Sequence, residues 1–333
     1  MNTILAFMHW QWEINIVEFF NQITSIEFFR LFFKFFNNFG SETVFIVLIG
    51  ATYWAINKKV AKDVGIAAFY AMMFNNLFKS FFNRLRPFQQ SPSTIECRDT
   101  SILSKDLNGN YIEVNGEYGT YYQSTSSSFP SGHAQGASSV YNSYAMSLKK
   151  KWVWIVASIL CALVMIARMA LGVHFFTDVL VGYLVGIGVS ALIFYLRKKV
   201  KNELILHIVV LSTFTVLTFL SPLWSDATRD MFITLGTSVG LIGGMLFEEK
   251  KVDFKMTKNV WKAILRVVIG IAIAFVLKIG LKYLYSWAFD EGTYLANVCD
   301  MLRYMILVFI AVGVYPIFIK KWKFLNDKEE VKE

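Results

Sequence analysis

Two of the four histidines in the chain stand among residues that could do chemistry. His174 precedes Asp178 by four residues, which is one helical turn, so the carboxylate can hold the imidazole in one tautomer. Such a pair raises the basicity of the other ring nitrogen and prepares it as a nucleophile or base. Residues 130–133 are Pro-Ser-Gly-His and stand where a polar loop enters a predicted helix, with Ser131 as a good N-cap. Because a helix start beside a glycine binds phosphate well, these residues favour phosphate chemistry.

Cationic side chains accompany the histidines. Lys79 and Arg86 are seven residues apart, which on a helix is about 10.5 Å of rise and about 20° short of two turns. The spacing predicts that both lie on one face of a helix that Pro87 ends, whereas Arg84 falls on another face and is expected at the membrane interface. Arg168 is predicted at a similar depth in another span. Singly, such cations snorkel to the headgroups and a His–Asp pair can be structural; jointly they predict an anion site.

The composition of the chain indicates that these residues belong to a membrane protein. Hydrophobic residues make up 55% of the 333 residues and charged residues 17%, with a mean hydropathy of +0.46. Soluble domains are usually about 45–50% apolar and about 25% charged. The net charge is +9, and most of the basic residues lie in short clusters between apolar runs. This pattern is typical of cytoplasmic loops rather than of a nucleic-acid-binding surface. The chain is therefore predicted to be a polytopic membrane protein that binds no nucleic acid.

Apolar runs near the length of about 20 residues that a membrane helix needs occur nine times. The runs are 42–57, 60–84, 131–148, 152–172, 178–196, 203–220, 226–247, 260–287 and 300–319. Strict alternation of these spans places every main basic cluster on one side, which is cytoplasmic under the positive-inside rule. The histidines and their cations then fall on the opposite side. The predicted fold is an all-α transmembrane bundle of about nine spans.

The chain divides into three predicted parts. Residues 1–40 are predicted as an interfacial amphipathic segment, with a helix break near Thr24-Ser25 and a tenth span as the alternative. Residues 41–200 form the predicted catalytic core, including a long polar outer loop at 88–129. Residues 201–333 form a C-terminal extension of four spans.

Three segments together resemble the type 2 phosphatidic acid phosphatase (PAP2) superfamily, which includes undecaprenyl-diphosphate phosphatases, glucose-6-phosphatases and vanadium haloperoxidases. The segments are Lys79-x6-Arg86-Pro87, Pro130-Ser131-Gly132-His133 and Arg168-x5-His174-x3-Asp178. The resemblance covers roughly residues 42–196. It departs at Ala167, where the family usually has Ser, so one hydroxyl contact to phosphate is missing.

The resemblance implies a two-step mechanism without metal or cofactor. His174 would attack phosphorus to form a phosphohistidine, with Asp178 orienting the ring, and His133 would act as acid and then base. The phosphate oxygens would be held by cations and by the start of a helix. The phosphate-binding residues implied are Lys79, Arg86, Ser131, Gly132 and Arg168.

The resemblance implies an integral membrane phosphatase that acts on a lipid phosphate or diphosphate of the bilayer. The expected location is a bacterial plasma membrane, with the active site on the outer face. Alternatives are a hydrolase of a soluble phosphate ester like the glucose-6-phosphatases, a phosphotransferase with another acceptor, and a non-catalytic lipid transporter or binder. Transporters are expected to have broken helices near the midplane, whereas the prolines here lie near span ends.

A second group of cations lies in the C-terminal extension. Lys278 and Lys282 are one helical turn apart, and Arg303 begins the last span. A charge inside an apolar run costs about 2.5–3.5 kcal/mol unless it is partnered. We expect these residues to line the path of a lipid headgroup; the alternative is that Asp290, Glu291 or Asp300 pairs with them structurally.

Overall fold

A computed structural model of the chain describes residues 10–82, 84–87, 127–225 and 228–327, and over these ranges the fold contains α-helices and no β-strand. The helices are α1 Gln11–Thr24, α2 Glu27–Asn38, α3 Glu42–Ala51, α4 Lys58–Phe81, α5 Gly132–Leu148, α6 Lys151–Ala170, α7 Phe176–Lys199, α8 Glu203–Leu220, α9 Arg229–Phe247, α10 Val260–Tyr283, α11 Tyr294–Phe309 and α12 Tyr315–Lys321. Most of the predicted outer loop 88–129 lies outside the described residues. The all-α prediction is confirmed.

The described residues divide into two compact units. The first draws on Met1–Val44, Phe74–Ala191 and Ser221–Ala227. The second draws on Phe45–Met73, Leu192–Leu220 and Thr228–Glu333. Helices α4 and α7 each begin in one unit and end in the other. The predicted division of the chain at residues 40 and 200 stays a prediction.

Six of the described helical segments are long and apolar enough to cross a membrane. They are Lys151–Ala170, Phe176–Lys199, Glu203–Leu223, Arg229–Val252, Val260–Tyr283 and Tyr294–Lys321. A seventh exists if α2 and the segment Glu42–Ile56, bent by 50°, together form one span. The chain is thus an integral membrane protein by helix length and composition, and the count of nine spans stays a prediction.

Helices α4 and α5 are less apolar than the six candidate spans because they carry polar side chains that are buried in protein. Asn75 on α4 donates to Oε1 of Gln135 on α5 over 2.8 Å. On the α7 side, the hydroxyls of Ser139 and Ser190 hydrogen-bond over 2.8 Å. Protein partners satisfy these groups, as small polar residues do between packed membrane helices.

Two glycines let α5 and α7 approach closely. A Cβ at Gly182 would lie 2.6 Å from the carbonyl oxygen of Ser131, and one at Gly186 would lie 2.5 Å from that of Gln135. A side chain at either position would therefore push the helices apart. Since Ser131 and the start of α7 are both candidate site elements, this contact sets their separation.

The N-terminal segment forms two helices that break where the sequence predicts, with α1 ending at Thr24 and α2 beginning at Glu27. Val17 of α1 packs against Phe175, and Phe33 of α2 packs against Ala167. Several phenylalanines of α2 stay exposed. Both helices therefore contact the elements around His174, and their placement in the membrane interface stays a prediction.

The second unit is organised by small residues in α9. Gly236 and Gly240 face the backbone carbonyls of Met301 and Met305 on α11, where a Cβ would clash. The close packing of these helices, again through glycines four residues apart, holds the C-terminal extension together.

Candidate active site

His174 lies in the short connection between α6 and α7 and is only 2% exposed. Its Nδ1 atom is 3.5 Å from Oδ2 of Asp178, which stands in the first turn of α7 and is fully buried. The same Oδ2 accepts the backbone N–H of Phe175 over 2.8 Å, so the carboxylate also caps its own helix. Because α7 begins at Phe176, His174 lies just before the helix and Asp178 lies in its first turn. The geometry of the helix cap, rather than spacing within a helix, therefore brings the pair together.

Ser128 bridges the imidazole and the carboxylate. Its hydroxyl donates to Oδ2 of Asp178 over 2.5 Å and lies 3.3 Å from Nδ1 of His174. The backbone holds Ser128 in place, because its N–H donates to the carbonyl of Arg84 over 2.8 Å. Asp178 therefore contacts His174 both directly and through a buried hydroxyl.

The hydrogen-bond geometry sets the tautomer of His174. A hydroxyl has one proton, and that of Ser128 goes to Asp178, because an ionised carboxylate can only accept. Nδ1 of His174 must therefore carry the proton that Ser128 accepts. This leaves the lone pair of the ring on Nε2, the form that a nucleophile needs.

The electrostatic environment keeps His174 neutral. Burial is the main cause that lowers the pKa of this imidazole well below its ordinary value of 6.5, and the positive charges of Arg86, Arg168 and Lys79 lower it further. A hydrogen bond involving Ser128 acts in the opposite direction. At neutral pH the ring is thus neutral, with its one proton on Nδ1, and cations that attract a phosphate surround it.

Ser131 is the N-cap of α5, as predicted. Its side chain accepts the N–H of Ala134 over 3.4 Å, and its own N–H donates to the backbone carbonyl of Asp178 over 3.0 Å. Gly132 is the first residue of the helix. The N-cap prediction is confirmed, and the start of α5 is tied to the start of α7.

His133 stands in the first turn of α5 and is half-buried. It contacts the turn between α2 and α3, where a Cβ at Gly40 would lie 3.1 Å from the Cβ of His133. Its ring interacts electrostatically with His174 and Arg168. The structure thus brings the two predicted histidines into one site.

Lys79 and Arg86 reach the site by a route that differs from the prediction. Helix α4 ends at Phe81, so Lys79 lies in its last turn whereas Arg86 lies beyond the helix. The expectation that helical spacing stacks them on one face, with Pro87 ending the helix, is therefore wrong. Arg86 donates from Nη1 to the carbonyl of Val173 over 3.3 Å, which places it beside the His174 connection.

Arg168, in the last turn of α6, is 6% exposed and donates from Nη1 to Oδ1 of Asn37 over 2.7 Å. Its neighbour Ala167, which stands where the resemblance leads us to expect Ser, packs with Phe33 and Ala170 in an apolar cluster. Position 167 therefore contributes packing in this chain rather than a contact to phosphate.

The expectation that Arg84 lies at the membrane interface is wrong. Arg84 is 1% exposed, and its guanidinium binds two carboxylates. Nη1 donates to Oδ1 of Asp178 and Nη2 to Oε2 of Glu13, both over 2.5 Å. The guanidinium also lies over the Phe175 ring at 4.5 Å. Because the helix ends at Phe81, helical spacing does not set the direction of the Arg84 side chain.

Comparisons with known proteins show the family of the chain. The PAP2 superfamily matches residues 61–202, and the transmembrane extension of PAP2 superfamily phosphatases matches residues 232–327. The chain belongs to the PAP2 superfamily. It is also 38% identical over 110 residues to phosphatidylglycerophosphatase B of Bacillus subtilis (strain 168), which is 30% of this chain. The match spans about half of that relative, 54% of its length. No solved structure matches significantly.

The PAP2 segment 61–202 contains every predicted catalytic and phosphate-binding residue, but sequence reasoning missed four residues of the site. The missed residues are Glu13, Asn37, Ser128 and Thr177. A carboxylate in the otherwise apolar stretch around Glu13 was the one available signal. Glu13 and Asn37 lie outside both matched PAP2 segments.

The C-terminal cations lie in the second unit and within the PAP2 extension segment 232–327. Lys278 is exposed on α10, Lys282 pairs with Glu291 at 2.5 Å, and Arg303 pairs with Asp300 at 2.8 Å while being 5% exposed. Lys282 and Arg303 thus pair with carboxylates, as the structural alternative predicts. A role in a substrate path stays a prediction for all three residues.

Among the described residues, no group of three or more His, Cys, Asp or Glu side chains could hold a metal ion. The site instead offers Lys79, Arg84, Arg86 and Arg168 around one histidine pair, with the carboxylates of Glu13 and Asp178. The excess of positive charge suits a dianionic phosphate.

Proposed function

We propose that this PAP2 protein is a membrane phosphatase that hydrolyses a lipid phosphate or diphosphate at the non-cytoplasmic face of a bacterial plasma membrane. The observation that carries the proposal is the state of His174. Its ring is buried, its Nδ1 is engaged by Ser128 and Asp178, and cations surround it. This arrangement leaves Nε2 as the nucleophile beside an anion site.

In the first step, Nε2 of His174 attacks phosphorus and the bond to the leaving oxygen breaks. His133 enters this step as the imidazolium, which the bound phosphate dianion favours, and its proton passes to the leaving oxygen, so no alkoxide is released. Positive charge develops on the His174 ring, and the carboxylate of Asp178 stabilises it through Nδ1–H. The cations neutralise the phosphoryl oxygens as the transition state forms.

In the second step, water attacks the phosphohistidine, and His133 takes its proton. The phosphorus–nitrogen bond breaks, inorganic phosphate leaves and His174 returns to its neutral form. Lys79, Arg86 and Arg168 hold the phosphoryl group throughout, together with Ser131 and the N–H of Gly132 at the start of α5. The residues themselves supply every proton and charge, so the proposed reaction uses no metal.

Three observations favour a lipid substrate. The site belongs to a chain with six or more candidate spans, so substrate and enzyme can share the bilayer. The relative in Bacillus subtilis is named for the phosphatase activity on phosphatidylglycerophosphate. The positive-inside pattern also favours a site at the outer headgroup level. Phosphatidic acid, phosphatidylglycerophosphate and undecaprenyl diphosphate are the candidates.

We further propose that α3, α4 and α5 cross the membrane, which gives nine spans. The polar side chains that lower the apolarity of α4 and α5 are buried in protein, so they do not face lipid. In this arrangement the basic clusters share the cytoplasmic side.

Purified protein is expected to release phosphate from a panel of lipid phosphates and diphosphates, and to keep full activity in EDTA. Vanadate should inhibit, because it adopts the five-coordinate geometry of the transition state at His174. The measurement is phosphate release in detergent micelles with and without each reagent. Loss of activity in EDTA that Mg²⁺ restores would exclude the metal-free mechanism, and release only from soluble esters would exclude the lipid substrate.

Replacement of Lys278 by Met is expected to raise KM for a lipid diphosphate more than for a small soluble phosphate ester. The side chain is exposed, so the change should leave folding intact and remove only a charge that can attract a headgroup phosphate. Lys278→Arg, which keeps the charge, is the matched control. Equal KM values for Lys278→Met and wild type on both substrates would exclude a role in substrate access.

A further inference from the structure

The N-terminal helix places a carboxylate inside the candidate site. Glu13, on α1, is fully buried and accepts four hydrogen bonds. Oε1 accepts the N–H of Thr177 at 3.0 Å and its hydroxyl at 2.6 Å. Oε2 accepts from Nη2 of Arg84 at 2.5 Å and from the N–H of Trp10 at 3.3 Å. An ionised carboxylate offers about four acceptor positions, and this one fills them.

We infer that Glu13 is a positioning residue for the catalytic Asp178–His174 pair, acting through Arg84 and Thr177. The inference rests on the proposed function. Glu13 lies outside the PAP2 segment, which begins at residue 61, so it is a contribution of this chain's N-terminal helix.

The two oxygens of Asp178 divide their contacts, which shows how Glu13 can act. Oδ1 faces Arg84, whereas Oδ2 faces Ser128 and the His174 ring. Arg84 therefore binds the oxygen that faces away from the imidazole, and this contact orients Oδ2 toward the imidazole. Glu13 in turn fixes Arg84 from its other side.

Thr177 closes the network between the two carboxylates. Its hydroxyl accepts from Nη1 of Arg84 over 2.6 Å and donates to Glu13 over 2.6 Å. Its backbone N–H belongs to the first turn of α7 and also donates to Glu13, so the carboxylate caps the helix that carries Asp178. Movement of Glu13 would therefore be passed to Asp178 by two routes.

The charge of Glu13 has a second consequence. Arg84 shares its positive charge between two carboxylates. With a neutral residue at position 13, that charge would act on Asp178 alone and would oppose the field that Asp178 exerts on His174. Asp178 would then stabilise less of the positive charge that develops on the His174 ring during attack.

A simple capping role does not account for these contacts. A glutamate at the third position of a helix commonly reaches back to the N-terminal N–H, as Glu13 does to Trp10. That role needs neither Arg84 nor Thr177. A carboxylate that only caps a helix is also usually exposed, whereas Glu13 is fully buried.

The test is Glu13→Gln, which keeps the shape of the side chain and removes its charge. We expect kcat per folded enzyme on a lipid phosphate to fall about 10- to 100-fold, the usual effect of losing an outer partner of a reactive histidine. KM should stay within about twofold, because Glu13 does not reach the phosphate. The rate of phosphohistidine formation in a single turnover should fall with kcat. The control is Glu27→Gln on α2, whose side chain is 75% exposed, and it should match wild type.

A second measurement does not depend on turnover. The ¹⁵N resonance of Nδ1 of His174 should shift in Glu13→Gln and stay in place in Glu27→Gln. If Glu13→Gln fails to fold, Thr177→Val removes the hydroxyl link, keeps the volume, and should lower kcat about threefold to tenfold. Wild-type kcat with an unchanged Nδ1 resonance would overturn the inference. Failure of the proposed function would show separately, as absence of hydrolysis by wild type or as activity in His174→Ala.

Discussion

Replacement of His174 by Ala is expected to abolish phosphate release, by about three orders of magnitude or more, because the reaction loses its nucleophile. Wild-type protein quenched during turnover of a ³²P-labelled lipid phosphate should carry acid-labile, base-stable label. The variant should carry none. The side chain lies in a connection between helices rather than inside one, so its removal should leave α6 and α7 in place.

The matched control is His207→Gln. His207 is a buried histidine of the other unit, where Nδ1 hydrogen-bonds to the hydroxyl of Tyr70 over 2.8 Å. Glutamine can keep a hydrogen bond there, so activity should stay within about threefold of wild type. Label found on a serine or aspartate, or label that survives in His174→Ala, would exclude the phosphohistidine mechanism.

Replacement of Arg84 by Met is expected to lower the free energy of unfolding by about 3–5 kcal/mol, the cost of breaking a buried ion pair from one side. Glu13 and Asp178 are both fully buried and would face each other without the cation between them. The measurement is denaturant unfolding of the purified variant in detergent micelles, followed by helical circular dichroism.

Arg30→Met provides the comparison for this effect. Arg30 is about half exposed on α2 and pairs with Glu27 at 3.6 Å, so its loss should cost about 0–1 kcal/mol. Adding Glu13→Gln to Arg84→Met should recover part of the lost stability, because one unpaired carboxylate disappears. If Arg84→Met is no more destabilising than Arg30→Met, Arg84 does not hold the two carboxylates together.

Local features of the site were accessible from the sequence because they involve neighbours along the chain. Ser131 caps a helix that begins one residue later, and Asp178 lies four residues from His174. The break between Thr24 and Glu27 followed from the residues around it in the same way. Such contacts depend on backbone geometry over a single turn, which residue type and spacing specify.

The length of α4 was harder to predict. Pro87 prevents a helix from continuing but does not state where it stops, and α4 ends at Phe81. Arg84, Leu85 and Arg86 are not helical, so helical spacing does not predict the directions of their side chains. The charges of Lys79 and Arg86 still both act on His174, because packing brings the end of α4 and the segment that follows it close to this histidine.

The sequence by itself determined that the chain is helical and that it is a membrane protein, and it predicted that two histidines with cations form a phosphate site. Only the tertiary structure determined which carboxylates bind and orient the side chains of that site. Glu13 meets Arg84 across 71 residues and Thr177 across 164, and Ser128 meets Asp178 across 50. These contacts depend on which helix ends come together, and that depends on close packing such as the approach of α5 to Gly182. A buried charge is stable only where all these partners converge, so its position is a property of the packed fold rather than of any single segment.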